Sequence, residues 1–340
     1  MVLSASSYNS MLYYDDPYHF FKRQLIWSTL GIFCMFVVMN VDYNKLKKYV
    51  KIGFVITILL LVAVLIPGVG KEVKGSTRWI GVGPLSFTPS EVVKLAIVFY
   101  FALVISLEPL KIKTIKGFGT YLLILGVIGA LLLKQPDLGT TIAVFGTSFC
   151  MFIAAGAKIS HLFALAITGI LGVIGLIIQA PYRLERITGF WHLWENASDE
   201  GYQTVQSLYA LGSGGLLGMG LGNSRQKFLY LPERHTDFIF AIIGEELGFI
   251  GAFLVLSLFF LFIWRGFRIA ILAPDRFGSL LAVGLTSIIA VQSVINMGVV
   301  TGSLPVTGIT LPFVSYGGSS LLFSLIGVGM LLNISKFSRK

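Results

Sequence analysis

Between Arg276 and Lys336 the chain carries no charged side chain. A soluble fold needs charge on its surface at least once every few residues, so this stretch has to be covered by something other than water. It is long enough for two membrane spans joined by a turn around Pro305 and Pro312. Seven further apolar runs bounded by charge, uncharged apart from Glu91 and Lys94 in the third and Asp237, Glu245 and Glu246 in the seventh, lie near 24–41, 52–67, 91–107, 117–133, 138–157, 159–180 and 236–264, and the final stretch divides into 277–301 and 312–334. Each approaches the roughly 20 residues that a helix needs to cross about 30 Å of hydrocarbon. Only 12% of residues are charged against 55% hydrophobic, which excludes a soluble enzyme. Residues 1–14 cover only about 20 Å at helical rise. They read as the outer half of a first span, with the natural start upstream, and no basic n-region marks them as a signal peptide.

The basic residues give the spans a direction. One set of alternate connections carries fourteen Lys and Arg: Lys45, Lys47, Lys48, Lys51, Lys111, Lys113, Lys116, Lys158, Arg265, Arg268, Arg276, Lys336, Arg339 and Lys340. The short loops of the other set carry six: Lys22, Arg23, Lys71, Lys74, Arg78 and Lys134. By the positive-inside rule the first set is cytoplasmic. The expected architecture is a single polytopic membrane domain over 1–340, an all-α integral membrane protein. It is a ten-span helical bundle with both termini cytoplasmic, the first span incomplete, and a large extracellular loop, 181–235, between spans seven and eight. Three acids (Asp42, Glu108 and Asp275) fall inside and the other thirteen outside or within the membrane, so the acidic chemistry faces outward. The net charge of +10 does not indicate nucleic acid, because no basic run is interleaved with polar sequence. Cys34 and Cys150 sit in apolar runs and read as small buried hydrophobes, and His19, His161 and His192 fit no metal-ligand spacing. No internal or inverted repeat is visible.

A 55-residue outer loop is far above ordinary loop length and is a functional candidate on that ground alone. It contains GYQTVQSLYALGSGGLLGMGLGNSRQKFLYLPERHTDF. Together with GSTRWIGVGPLSFTPSEVVKLA, QPDLGTT and LPVTGITLPFVSYGGSSLL, this string resembles the SEDS family (shape, elongation, division and sporulation) over nearly the whole chain. GLGNSRQK and TGITLPFVSYGG look like the division and sporulation members, while LPERHTDF with Arg234 is similar to the elongation members. The resemblance implies a peptidoglycan glycosyltransferase of the bacterial cytoplasmic membrane that polymerises lipid II at the outer face. It would work with a class B penicillin-binding protein, for cell division, sporulation or elongation. Alternatives of other classes are a lipid II flippase and a non-catalytic scaffold for the penicillin-binding protein. A transporter site belongs near the midplane between repeats, whereas the motif residues here cluster at the outer ends of spans.

Each candidate residue has two readings. Asp237, at the outer start of the eighth span, can serve as a first-turn acid that stabilises the helix start. It can equally serve as a general base that takes the proton of an attacking sugar hydroxyl, the role the resemblance assigns to it. One carboxylate suffices for that chemistry, because a pyrophosphate leaves as an anion and needs positive charge instead of an acid. Glu91 and Lys94 share a helix face; Thr88-Pro89-Ser90-Glu91 also fits a capping box, with Lys94 merely neutralising Glu91. Asp137 can be only an N-cap. Trp79 can be an interface anchor or a stacking platform, and Arg78 a lipid contact or a phosphate clamp. Arg186, Arg225 and Lys227 are further anion candidates. Of Glu245 and Glu246, one is expected to face the bundle interior. The GxGxxG-like spacing in GSGGLLGMGLG lacks a preceding strand and binds no dinucleotide; bending of the chain is the expected use of those glycines. The resemblance also implies substrate contacts at Gln203, Glu233 and His235, and at Ser315, Gly317 and Gly318, although small residues at the head of a span usually serve close helix packing. No cofactor is required; a divalent cation, Mg or Mn, accompanying the pyrophosphate is a possibility the sequence leaves open.

Overall fold

The computed structural model describes residues 1–73, 76–81, 87–178, 181–228 and 230–338, with the side chains of 72, 73, 176, 177, 181–183, 186 and 187 outside that description. In chain order the helices are α1 (Val2–Tyr14), α2 (His19–Asn40), α3 (Tyr43–Leu46) and α4 (Val50–Val64). A short hairpin follows, β1 (Lys71–Val73) and β2 (Ser76–Trp79), antiparallel with Lys71 opposite Trp79. Then come α5 (Pro89–Leu107), α6 (Ile115–Lys134), α7 (Leu138–Ala154), α8 (Ile159–Ile178), α9 (Pro181–Trp191) and α10 (Tyr202–Gly214). The last three are α11 (Ile239–Leu272), α12 (Arg276–Val300) and α13 (Gly318–Lys336). Every one of the nine charge-bounded runs contains a helix. Six helices, α2, α5, α6, α11, α12 and α13, are long and apolar enough to cross a membrane, and α4, α7 and residues 159–175 of α8 are shorter apolar helices. The 181–235 segment carries α9 and α10.

Two compact units divide the chain. The first comprises 1–26, 168–261 and 292–317; the second comprises 27–167, 262–291 and 318–340. In the second unit α5 is central and packs on α4, α7 and α13. Its buried residues Val93, Ile97, Val98, Phe101 and Ile105 recur at helical spacing, which puts a continuous apolar stripe against those neighbours. Phe54 stacks on Tyr100 at 4.1 Å between centroids, and Phe101 meets both Tyr121 and Phe152. His161 stacks on Phe118 at 4.9 Å, a core packing role. Polar ties fasten the other end: Asn333 accepts the Tyr43 N–H at 3.1 Å and donates to the Met39 carbonyl at 2.8 Å.

The first unit holds an irregularity that the sequence pattern does not announce. Helix α11 is broken at Gly248, whose φ of 67° and ψ of −167° are non-helical. A break inside an apolar helix strips backbone groups of their partners, and in a membrane no water replaces them. Residues 215–220 supply the partners. The Met219 and Gly220 N–H groups donate to the carbonyls of Glu245 and Glu246, and the Phe249 and Ile250 N–H groups donate to the carbonyls of Gly215 and Leu216, all between 2.8 and 3.2 Å. The backbones come so close that a Cβ on Gly218 would lie 2.2 Å from the Glu246 oxygen, and one on Gly248 would lie 2.3 Å from the Gly218 nitrogen. Gly218 also has φ +81°. The glycine-rich segment is therefore a backbone patch over a helix break, which explains its composition without a nucleotide.

Candidate active site

The turn before α11 sets the position of Asp237. The N–H groups of Thr236, Asp237 and Phe238 all converge on the Glu233 carbonyl at 3.0–3.2 Å, and the Thr236 hydroxyl donates to the Glu233 carboxylate at 2.9 Å. Asp237 is partly exposed and stands two residues ahead of Ile239, where regular helix begins, slightly outside the first turn. The segment 307–317 is strapped across this turn. Ser315 donates from its hydroxyl to the Thr236 carbonyl at 2.5 Å and accepts the Leu311 N–H at 2.8 Å. The Tyr316 N–H donates to the His235 carbonyl at 2.8 Å. Gln24 completes the strap: its amide nitrogen donates to the Ser315 carbonyl at 3.3 Å and its amide oxygen accepts the Gly317 N–H at 3.2 Å. These bonds hold 312–317 out of helical geometry, so α13 starts at Gly318 and not near Pro312.

The tightest tie comes from α12. The buried Asn296 donates through one side-chain nitrogen to the carbonyls of Asp237 and Ile309, both at 2.7 Å. It thereby fixes the Asp237 backbone against Gly308, at which a Cβ would sit 3.7 Å from Asp237 Oδ2. The His235 ring is buried beside Phe20 at 4.9 Å and Tyr316 at 5.7 Å. Burial raises the Tyr316 phenol above its ordinary pKa despite the opposing charge and hydrogen bond of Arg23. Arg234 is buried beneath this turn, with Nε donating to the Ala5 carbonyl at 3.3 Å, and burial lowers its pKa. The motif residues Glu233, His235, Asp237 and Ser315 are thus brought together, with the Gly317 backbone joined through Gln24. Asn296 and Gln24 were not singled out from the sequence, although a lone amide in an apolar helix is the kind of signal that finds such residues.

Deeper in the first unit, both Glu245 and Glu246 are buried, where one was expected. Their carboxylates fasten the GLGNSRQK loop. Glu245 accepts the Ser224 hydroxyl and the Arg225 and Gln226 N–H groups, the latter at 2.8 and 3.4 Å. Glu246 accepts the Ser4 hydroxyl and the Ser224 N–H and lies 3.8 Å from the Lys227 ammonium. Lys227 is itself buried and bonds the Gly222 carbonyl, so its charge is turned inward. Arg225 is exposed. Gln203 is half-buried near the start of α10. Arg186 lies in α9, and its side chain is outside the described residues.

In the second unit Glu91 and Lys94 form a 2.7 Å ion pair with side chains 15% and 5% exposed. The capping box does not form. Thr88 makes no side-chain cap bond, and its own N–H, the group Glu91 would cap, is taken by the Ser319 hydroxyl at 3.2 Å. The Glu91 carboxylate is left for Lys94, so the pair is more than a by-product of helix capping. Asp137 does cap α7, accepting the Thr140 N–H at 3.1 Å. It also receives Arg78, which the hairpin aims at this turn: Nε donates to the Gln135 carbonyl at 3.0 Å, one terminal nitrogen bonds the Pro136 carbonyl, and the other stands 3.7 Å from Asp137. Trp79 on β2 is partly exposed, and Gly318 begins α13. Among the described residues no three His, Cys, Asp or Glu side chains group as metal ligands.

Comparison with known proteins finds likeness along the full length of the chain. The family model for the FtsW, RodA and SpoVE cell cycle proteins matches residues 1–340. Stage V sporulation protein E of Bacillus subtilis (strain 168) is 52% identical over 340 residues, covering 100% of this chain and 93% of that one. A probable peptidoglycan glycosyltransferase FtsW of Geobacter sp. (strain M18) is 43% identical over 336 residues, covering 98% and 92%. Among solved structures, one described as the structural coordination of polymerization and crosslinking by a peptidoglycan synthase complex superposes with a TM-score of 0.81 at 28% identity, covering 98% of this chain and 94% of that one. The rod shape determining protein RodA of Thermus thermophilus gives 0.71 at 28% identity, covering 100% and 94%. With its several apolar helices and these relatives, the protein is a multi-pass membrane protein, and the chain belongs to the FtsW/RodA/SpoVE family of cell cycle proteins.

Proposed function

We propose that the protein is a peptidoglycan glycosyltransferase that polymerises lipid II into glycan strands on the outer face of the bacterial cytoplasmic membrane. The observation that carries the reading is Asp237, a partly exposed carboxylate whose backbone is clamped by Asn296 and whose neighbours are strapped by Ser315 and Tyr316. A general base has to be held within hydrogen-bond reach of the proton it removes, and a carboxylate on a fixed backbone meets that demand. In the reaction Asp237 takes the proton of an acceptor sugar hydroxyl. The oxygen bonds to the anomeric carbon of the donor with inversion, the bond to the undecaprenyl pyrophosphate breaks, and the pyrophosphate departs with the electron pair. In the first unit the exposed Arg225 can meet that anion, and its N–H tie to Glu245 fixes its backbone.

The same reading places ten spans in the membrane with both termini cytoplasmic and 181–235 outside, on the strength of the fourteen-to-six charge asymmetry. External cysteine labelling then reaches positions 71 and 195 but not 47 or 113; labelling at 47 reverses the orientation. A class B penicillin-binding protein is the proposed partner, supported by the likeness to a synthase complex that couples polymerization to crosslinking. A flippase would use ionisable groups within the bundle, and the two acids there, Glu245 and Glu246, are instead engaged in bonding the loop.

The test is Asp237→Asn in purified protein supplied with lipid II, with and without the partner, read as glycan strands on a gel. Asn keeps the size and removes the base, so polymerisation falls by about 10² to 10⁴ while lipid II still binds. Strand synthesis near the parent rate by a folded, substrate-binding Asp237→Asn protein would sink the assignment.

A further inference from the structure

At the end of the second unit far from Glu91, a cleft of about 620 Å³ opens between the ends of α5, α7, α11 and α12. Its walls are Pro109, Leu110, Ala154, Ala155, Gly156, Ala273, Pro274 and Leu280, with Lys113, Asp275, Arg276 and Ser279 supplying the polar atoms. The hollow exists because small residues, Ala154, Ala155, Gly156 and Ala273, stand where the helices end. The volume falls in the ordinary range for a small-molecule site. From Glu91 to Leu107 along α5 is about 24 Å at 1.5 Å per residue, so the cleft is separate from the Glu91–Lys94 pair.

The charge in the cleft is positive and positioned. Arg276 donates to the Ala155 carbonyl at 3.0 Å, which fixes its guanidinium at the wall and leaves further N–H donors. Lys113 is exposed and forms no ion pair among the described residues, unlike Lys111, which pairs with Glu108 at 2.9 Å. The one acid, Asp275, is already occupied. It accepts the Tyr43 hydroxyl at 2.5 Å, the Lys47 ammonium at 2.9 Å and the Gly278 N–H at 3.3 Å. It therefore caps α12, and among the described residues neither Lys113 nor Arg276 has an ion-pair partner. Leu110 in the wall, and Leu107, Ile153 and Ile271, each within two residues of a wall residue in sequence, are apolar side chains 52–82% exposed.

We infer that this cleft binds the headgroup phosphate of an anionic diacyl phospholipid, with Lys113 and Arg276 on the phosphate and the acyl chains along these exposed apolar side chains. Two cations without an ion-pair partner among the described residues, a hollow of fitting size, and its place where apolar helices end together define a headgroup-level site. A free phosphate offers the same charge but has no use for the apolar side chains, so a lipid is the occupant the observations favour.

The test is native mass spectrometry of the full chain in neutral detergent with added phosphatidylglycerol, phosphatidylcholine or glycerol phosphate. The parent is expected to retain phosphatidylglycerol in preference to the other two. Each of Lys113→Gln and Arg276→Gln should weaken that retention by about fivefold, and the pair by about thirtyfold, from the usual contribution of a basic side chain near an anionic lipid surface. Ala154→Phe fills the hollow without altering charge and should weaken it too, which keeps the test decisive if Arg276→Gln fails to fold. Lys158→Gln removes a cation of the same face outside the cleft and should change nothing. Equal retention of phosphatidylcholine, equal binding of glycerol phosphate, or an effect of Lys158→Gln as large as that of Lys113→Gln would overturn the inference.

Discussion

Replacing Asn296 by alanine separates holding the base from being the base. The substitution removes two 2.7 Å bonds. The Ile309 residue is buried, so its carbonyl is left without a partner and the loss there is about 2 kcal/mol; Asp237 is partly exposed, water reaches its carbonyl, and the loss is about 1 kcal/mol. Against this, alanine gains about 0.5 kcal/mol of helix propensity, and the Asn296 amide oxygen had no partner to lose. The net expectation is a destabilisation of about 2.5 kcal/mol with the fold retained. Activity should suffer in a specific way. Lipid II binding survives because Asn296 points at backbone, while the polymerisation rate drops by about 10 to 10², between the parent and Asp237→Asn, since a displaced base is still a base. Asn296→Asp is the sharper variant: an ionised carboxylate cannot donate and would face two carbonyl oxygens, so it should fall below alanine in both stability and rate. Thermal unfolding in detergent and a timed glycan-strand gel measure both. An Asn296→Asp protein as stable and as fast as the parent would show that the clamp contributes nothing.

Three other substitutions probe separate parts of the chain. Gly218→Ala should lower stability by at least about 2 kcal/mol, seen as a lost monodisperse peak on heating, because φ +81° is strained for alanine and its Cβ would collide with the Glu246 carbonyl. Arg78→Lys keeps the charge but cannot span the Gln135 and Pro136 carbonyls and Asp137 together; a loss of about 1–2 kcal/mol is expected, and an unchanged melting temperature would count against that fork. Burial raises the Asp275 carboxyl, but the hydrogen bonds from Tyr43 and Lys47 and the Lys47 charge outweigh it and hold the pKa below the ordinary value. A depressed acid stabilises the fold above its unfolded pKa, so this contribution should fade as pH falls below about 4, and Asp275→Asn should flatten that part of the stability curve.

The apolar helices were legible because unpaired charge is costly in hydrocarbon whatever the tertiary arrangement, so the boundaries of Phe277–Ser335 and of most other runs are written in single residues. The place of Asp237 just ahead of α11 was legible for a similar reason: an acid directly before a long apolar run has few places to go. The break at Gly248 was not. Glycines are common in membrane helices, and this one differs only because residues 215–220 return to pair with the exposed backbone. The capping box failed by the same logic, since the Thr88 N–H is claimed by Ser319, 231 positions away. Local spacing predicts local bonds only where no distant group offers a better one.

That dependence on distant groups is concentrated around the proposed base. Asp237 and the two residues before it are held by Asn296, Ser315 and Tyr316, and Gln24 holds the strap in turn. Several of these ties end on backbone atoms, which carry no side-chain signature to read. Asp237 is fixed through its main chain, by Asn296 on its carbonyl and the Glu233 carbonyl on its N–H, whereas Glu245 is fixed through its own carboxylate oxygens, which accept from Ser224, Arg225 and Gln226. The contrast distinguishes two acids eight residues apart, one within α11 and one in the turn before it: Glu245 secures a loop, and Asp237 is presented by one.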